Sequence, residues 1–357
     1  MKTPLICAAL KDAEVLRSEG LESWDQLVRQ GRSSGLLARL AANLERANCW
    51  DAIPEQARWH FAAALTLAER QKIAVRWEVS QIQQALEAVS CPIILLKGAA
   101  YVLSDLPSAT GRLFNDIDIM VPREALGAVE AALMLAGWHA QQQDPYDARY
   151  YRQWMHEIPP LQHVKRGSVL DVHHGILPHT ARYHPDPAKL RKAAVPVAGE
   201  DNLWVLAPID MVLHSACHLF HDGELPHGLR DLSDLDLLLG HFGQHPGFWD
   251  NLPQRAVELE LRRPLYYALR YVRYFFGTSV PPAVDAALQG SAPVGLPIMD
   301  TMFHRVLGPE HASYEDSLSR PSRLAAYVRA HWLRMPLQLL IPHLLHKALI
   351  SPKEYPA

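Results

Sequence analysis

Two aspartates separated by one isoleucine, Asp116-Ile117-Asp118, are the residue pair in this chain best suited to chemistry. Strand side chains alternate faces with a period of two, so both carboxylates point one way while Ile117 and Ile119 point into the protein. Two like charges side by side are unfavourable unless water or a cation lies between them, and a pair of hard oxygen ligands suits Mg2+. Upstream, the continuously apolar Pro92-Ile93-Ile94-Leu95-Leu96 breaks at Lys97-Gly98 into a helical pattern. Free backbone N–H groups and the helix dipole at such a start favour a phosphate, and Lys97 adds a point charge beside them. Arg112, just before the acidic strand, either reaches a phosphate in fork geometry or pairs with Asp116.

A hairpin is expected between Tyr150 and Ile176: Glu157 to Val164, a turn at Lys165-Arg166-Gly167-Ser168, and a return strand Val169-Leu170-Asp171-Val172-His173-His174. Alternation puts Val169, Asp171 and His173 on one face. An acid in mid-strand needs a partner or water, so Asp171 is either solvent-facing on an edge hairpin or part of a carboxylate set. His173 orients an acceptor, binds phosphate or only packs. Further on, a helix from Pro208 through Phe220, with Gly223 as its expected stop, carries His214, His218 and His221 on one face. Zinc is one reading of that face. The other is packing against Leu229-Arg230-Asp231-Leu232-Ser233-Asp234-Leu235, with Arg230 and Asp231 satisfying buried imidazole nitrogens.

Taken together, Leu96-Lys97-Gly98, Arg112 shortly before Asp116-Ile117-Asp118, and Leu170-Asp171-Val172-His173 resemble the bacterial family of largely uncharacterised nucleotidyltransferase-like proteins, within the nucleotidyltransferase superfamily and its polymerase-beta-like palm. The resemblance implies an α+β fold, a nucleotidyltransferase-type mixed sheet with flanking helices. It implies Mg2+ as two ions and a nucleoside triphosphate, ATP in the first instance, as substrate. It assigns Asp116, Asp118 and Asp171 as catalytic and metal-binding residues, the last matching the third carboxylate that the superfamily supplies from a later strand. Lys97, Gly98 and Arg112 become the nucleotide-binding residues, with His173, His218, Arg230 and Asp231 behind them or on the acceptor side. The acceptor is a hydroxyl of a small molecule or protein. One departure stands out: better-known superfamily members have Gly-Ser at the turn, and here Lys97-Gly98 is followed by Ala99. That departure supports an alternative, a non-catalytic nucleotide-sensing or partner-binding member. A metal hydrolase built on the three histidines is the third reading.

The elements that must position these groups fall into three stretches: a helical region over 1–90, an α/β core over 91–206, and a helical region over 207–357. In the first, Phe61, Leu65, Ala68, Ile73, Trp77, Ile82 and Leu86 recur at helical spacing and predict one apolar stripe. After the acidic strand, Leu126, Val129, Leu133 and Ala136 predict a helix that stops at Gly137. The stretch 177–200, rich in Pro, His, Arg and Lys, reads as an exposed loop whose Arg182, Lys189, Arg191 and Lys192 face solvent or an acidic ligand. A short strand is expected at Leu203 to Leu206. Around Tyr266, Tyr267, Tyr271, Tyr274, Phe275 and Phe276, interleaved with Arg262, Arg263, Arg270 and Arg273, either a base-stacking surface or a packed helix with snorkelling arginines forms.

Composition narrows the function classes. The 357 residues are 49% hydrophobic and 20% charged, an ordinary globular balance. A formal net charge of -3 gives no general pull toward a phosphate backbone, which disfavours nucleic acid as the main partner. Four cysteines, Cys7, Cys49, Cys91 and Cys217, lack paired spacing, so a reduced cytoplasmic setting is expected. Lys11-Asp12-Ala13-Glu14 interrupts the short apolar start before a secretory core forms. The apolar Met335 to Ile350 is cut by Pro342, His343, His346 and Lys347, so a packed terminal helix is expected rather than a membrane span.

Overall fold

The computed structural model describes residues 3–140, 154–221 and 225–341. Four helices precede the first strand: Leu5–Lys11 (α1), Leu21–Ser33 (α2), Leu37–Arg46 (α3) and the 31-residue Glu55–Ala85 (α4). Ile93–Leu95 (β1) then leads directly into Lys97–Leu103 (α5), and a polar connection reaches Asp116–Met120 (β2). Leu126–Leu135 (α6), Trp138–Ala140 (β3), Leu161–His163 (β4) and Val169–His173 (β5) follow, then Pro187–Ala193 (α7), Val195–Pro196 (β6) and Leu203–Val205 (β7). The remainder is helical: Pro208–His221 (α8), Gly228–Phe242 (α9), Phe248–Glu258 (α10), Arg262–Phe276 (α11), Pro282–Ala287 (α12), Leu296–Val306 (α13) and Ser319–Arg334 (α14).

All seven strands form one mixed sheet in the order β3-β4-β5-β2-β1-β7-β6. Strand β2 lies antiparallel to β1 and parallel to β5, so the two chemically loaded strands are direct neighbours at the centre. A central strand is buried on both faces, and Ile117, Ile119 and Met120 are buried accordingly. The fold is the α+β, mixed-sheet architecture with flanking helices. The expected hairpin forms β4 and β5, and β5 is flanked on both sides rather than lying at an edge. Its turn is pinned to α4: the Arg166 guanidinium donates to Glu78 at 2.7 Å, Ser168 Oγ donates to the same carboxylate at 2.8 Å, and the guanidinium lies over Trp77 and Trp138.

Several expectations need correction. The buried line of α4 runs through Phe61, Ala68, Val75, Val79 and Ile82, whereas Ile73 is 67% and Trp77 51% exposed. Ile73 sits two residues, about 200°, around the helix from Val75, so it cannot share the buried stripe. The stretch 177–200 is not an open loop: Asp186 caps α7 by accepting from the Ala188 N–H, and β6 adds an edge strand. In α11 the packed-helix alternative holds for Tyr267, Tyr271, Phe275 and Phe276, which are core, while Tyr266 and Tyr274 are half-buried, and Arg270 and Arg273 pair with Asp300 and Asp285. The hairpin's approach over 150–153, the Gly223 stop and residues 342–350 of the apolar terminal segment lie outside the described residues. No helix among the described residues is long and apolar enough to cross a membrane.

One buried ion network joins the helical flanks to the sheet. Arg39 on α3 donates to Asp234 of α9 at 2.7 Å, to Ser233 Oγ at 2.9 Å and to the Ser108 carbonyl at 2.7 Å. Asp234 also accepts from Arg112 Nε at 2.8 Å. The connection before β2 passes so close to α3 that a Cβ at Gly111, whose φ is +61°, would meet the Arg39 backbone at 2.4 Å. Removing the shared buried partner leaves the Arg39 guanidinium without a carboxylate and Arg112 with only Asp231, 3.9 Å away. Asp234→Ala is therefore expected to destabilise the fold by about 3–5 kcal/mol, read as a lowered denaturant midpoint, whereas Asp25→Ala at the exposed Arg29 pair should barely move it.

Candidate active site

The site is organised by what a buried carboxylate requires. Asp118 is 3% exposed, in mid-strand on β2. Its Oδ1 accepts from Lys97 Nζ at 2.9 Å and from His173 Nε2–H at 3.0 Å. Lys97 comes from the neighbouring strand's end: Leu96 is still extended and donates its N–H to the Asp118 carbonyl at 3.0 Å, and Lys97 then turns the chain with φ at +43°. A non-glycine residue in that region is strained. The ion pair with Asp118 is the compensation visible here.

His173 comes from β5, whose parallel register sets Asp118 beside Asp171 and Met120 beside His173. The ligand atoms of Asp118, Asp171 and His173 lie within 4.8 Å of one another. Burial alone would raise the Asp118 pKa, but the Lys97 charge and the His173 hydrogen bond outweigh it and hold the carboxyl well below the usual range. Burial also opposes the Lys97 ammonium and the His173 imidazolium, yet Asp118 and Glu157 push both pKa values up. Asp171 has less such help. Burial, then the charges of Asp118 and Glu157, push it up to about 7, with His173 alone among its main neighbours pulling its pKa down, and its Oδ1 is buried without a hydrogen-bond partner. An orphaned carboxylate oxygen beside a second carboxylate is a donor set that fits a hard divalent cation. Asp116 shares the face one strand step nearer solvent and is outside that 4.8 Å cluster; burial and the Asp118 charge raise its pKa.

A cavity of about 240 Å³ opens beside Asp116 and Asp118, lined by Lys97, Gly98, Arg112 and Arg230 among others, with Asp171 and His173 outside its lining. His218 and Ser215 of α8 and Asp231 and Asp234 of α9 complete its wall. Gly98 is required by space: a Cβ there would meet Arg112 Nη1 at 2.7 Å and the Phe114 ring at 2.8 Å. Arg112 does not pair with Asp116. It is held by Asp234 and lies 3.9 Å from Asp231, with its guanidinium over the Phe114 and Tyr101 rings. Arg230 likewise pairs with Asp231 at 2.9 Å, so neither residue is spent on the imidazoles as expected, and His227 Nδ1 is left buried and unpartnered. A second cavity, about 460 Å³, opens on the α4 side of Asp116 and is lined by Trp77, Phe114, Ile117 and Arg166. A larger cavity, about 680 Å³, lies among α11, α12 and α13 and shares no residue with these two.

The α8 histidines divide. His214 and His218 face the Lys97 and Asp118 charges, and burial first, then Lys97, lowers both pKa values, His214 to about 3. His221 instead hydrogen-bonds the Cys217 carbonyl at 3.0 Å and meets the Tyr183 ring edge-on. The three are not among the described groups whose ligand atoms converge for a metal. Sequence reasoning missed Arg39, Asp234, Tyr101, His156 and Glu157. Asp234 alone carried a signal, since it lies three residues after Asp231 on the same helical face.

A sequence profile described as "Uncharacterised nucleotidyltransferase" matches residues 21–277, well over half of the chain and inclusive of every residue discussed above in this site. No curated protein matches.

Two outcomes follow from this geometry. Gly98→Ala must displace Arg112 or Phe114 and is expected to cost about 1–3 kcal/mol, measured by chemical unfolding. Buried His214 and His221, each depressed to about 3 chiefly by burial, stay neutral in the fold while the unfolded chain takes up protons below about 6.5. Their contribution to stability is thus constant above pH 7 and lost as pH falls from 6.5 toward 3, by about 2 kcal/mol per histidine at pH 5. Urea titrations at pH 7.5 and pH 5.0, comparing the wild type with His221→Asn, read the difference.

Proposed function

From the premise that the chain belongs to the uncharacterised nucleotidyltransferase family, we propose that it is a Mg2+-dependent enzyme that moves a nucleoside monophosphate from a nucleoside triphosphate, ATP in the first instance, to a hydroxyl of a small-molecule or protein acceptor. The observation that carries this reading is the Asp118–Asp171 pair in register on neighbouring central strands, with Lys97 at the adjoining strand-to-helix turn. Asp116, Asp118 and Asp171 would hold the metal. When bound, Mg2+ spreads the negative charge of the triphosphate and makes the acceptor hydroxyl more acidic.

The chain's own residues do the rest. Lys97 and Gly98, at the start of α5, and Arg112 orient the β and γ phosphates and share the charge of the departing pyrophosphate. The acceptor oxygen forms its bond to the α-phosphorus as the bond to the bridging oxygen breaks, and Asp171 either completes the metal site or takes the hydroxyl proton. His173 orients Asp118 through its Nε2–H. His218, Arg230 and Asp231 wall the cavity, and the apolar space beside Trp77 and Phe114 offers the acceptor an approach to Asp116. We assign the chemistry to 91–206, with the helical flanks as walls. Four free, buried cysteines fit a reducing, cytoplasmic setting.

A second reading, a nucleotide sensor without transfer, is favoured by one observation: Lys97 already supplies Asp118 with an internal counter-charge, where better-known relatives by resemblance have Gly-Ser. Isothermal titration of ATP with and without Mg2+ tests binding. Mg2+-dependent binding is expected in the wild type and a loss of at least about 100-fold in Asp116→Ala/Asp118→Ala, roughly 2.7 kcal/mol. A wild type that binds no nucleotide under either condition removes both readings. Pyrophosphate release, assayed across candidate acceptors, then separates transferase from sensor.

A further inference from the structure

His173 has two ring nitrogens, and only Nε2 is engaged with Asp118. Its Nε2–H donates to Asp118, which fixes the tautomer and turns Nδ1 toward the segment that precedes β4. There, Nδ1 is buried and makes no aligned hydrogen bond, although the Glu157 carboxylate lies 3.2 Å away. His156 has a second buried, unpartnered Nδ1, and its ring centroid lies 5.3 Å from that of His173. The ligand atoms of His156, Glu157 and His173 lie within 4.8 Å of one another.

The backbone holds this group in place. Glu157 forms a bridge with His173, the Ile158 N–H donates to the Val172 carbonyl at 3.0 Å, and the His174 N–H donates to the His156 carbonyl at 2.8 Å. The three side chains therefore hang from one short antiparallel pairing rather than from independent loops.

We propose that His156, Glu157 and His173 form a second cation site, selective for a Zn2+-type ion, on the side of His173 away from Asp118. Two imidazoles and one carboxylate are the ligand set of an open zinc site, and imidazole nitrogen disfavours Mg2+. Tetrahedral ligands about 2.1 Å from a common ion lie about 3.4 Å apart, so a cluster within 4.8 Å closes by up to about 1.4 Å to bind one. Asp118–His173–metal is then the carboxylate–histidine relay by which a buried acid orients a metal-bound ring. Loading the site fixes His173 and, through it, the Asp118 carboxylate. The other way to satisfy His173 Nδ1 is a second ring proton shared with Glu157, which leaves no lone pair for a metal.

Cobalt(II) alone, added to the chelator-stripped full-length protein, separates these states without any nucleotide. One equivalent is expected to bind with the strong visible absorption of a four- or five-coordinate nitrogen-bearing site. His156→Ala and Glu157→Gln should each weaken binding by at least about 10-fold, with Tm in the absence of metal confirming that each variant is folded, while Asp116→Asn leaves the strong spectrum unchanged. No strong absorption in the wild type, a weak octahedral-type spectrum that Asp116→Asn abolishes, or unchanged affinity in a folded His156→Ala overturns the proposal. None of these results depends on whether the chain binds ATP.

Discussion

A carboxylate buried at the centre of a sheet dictates most of what surrounds it. Asp118 is removed from water and flanked by strands, and an uncompensated charge there would cost several kcal/mol. The structure meets that cost with two donors delivered by covalent geometry: β1 ends where Lys97 can reach across, and the register of β5 brings His173 alongside. The strained backbone of Lys97 and the parallel β2–β5 pairing both follow from the same requirement. The same placement that secures Asp118 leaves Asp171 short of partners, which sets the electrostatic asymmetry of the site: one carboxylate firmly ionised, its neighbour close to titrating at neutral pH.

Around this centre the charges are arranged in matched sets. Lys97 serves Asp118, Arg230 serves Asp231, and Arg112 and Arg39 converge on Asp234. The cavity therefore presents cations whose positions are fixed by acids behind them, a preorganised rather than a loose basic surface. In the proposed function an anion entering it would compete with Asp118 for Lys97, and that carboxylate would leave its internal counter-ion to take a metal. Arg39 carries the arrangement outward: by bonding to Ser108 and Asp234 together it fixes α9 against the connection that leads into β2.

What was legible in the sequence came from local rules. Period-two alternation placed Asp116 and Asp118 on one face, and the turn at Lys165 to Ser168 identified the hairpin that brings Asp171 and His173 to the same cluster. The apolar run ending at Lys97-Gly98 marked the strand-to-helix break. Partners that meet only through space were not legible. Arg112 precedes Asp116 by four residues yet binds Asp234, far along the chain, and nothing near Arg39 signals its burial. Hydrophobicity misled where it was not matched by burial: Ile73 and Trp77 defined a stripe on paper but face outward, because the line through Val75 and Val79 meets the core. Proline and charge hid α7, whose Asp186-Pro187 start is a capping signal that composition outweighed.

In the proposed reaction Asp118 exchanges its lysine for a metal when a nucleotide arrives. A crystal structure of the protein with Mg2+ and a non-hydrolysable ATP analogue would show this exchange. Metal density is expected against Asp116, Asp118 and Asp171, with the triphosphate at Lys97 and Gly98 and the Lys97 ammonium moved from Asp118 to phosphate. Nucleotide bound elsewhere, in the larger cavity among α11, α12 and α13 for instance, with the Lys97–Asp118 pair intact, would contradict it.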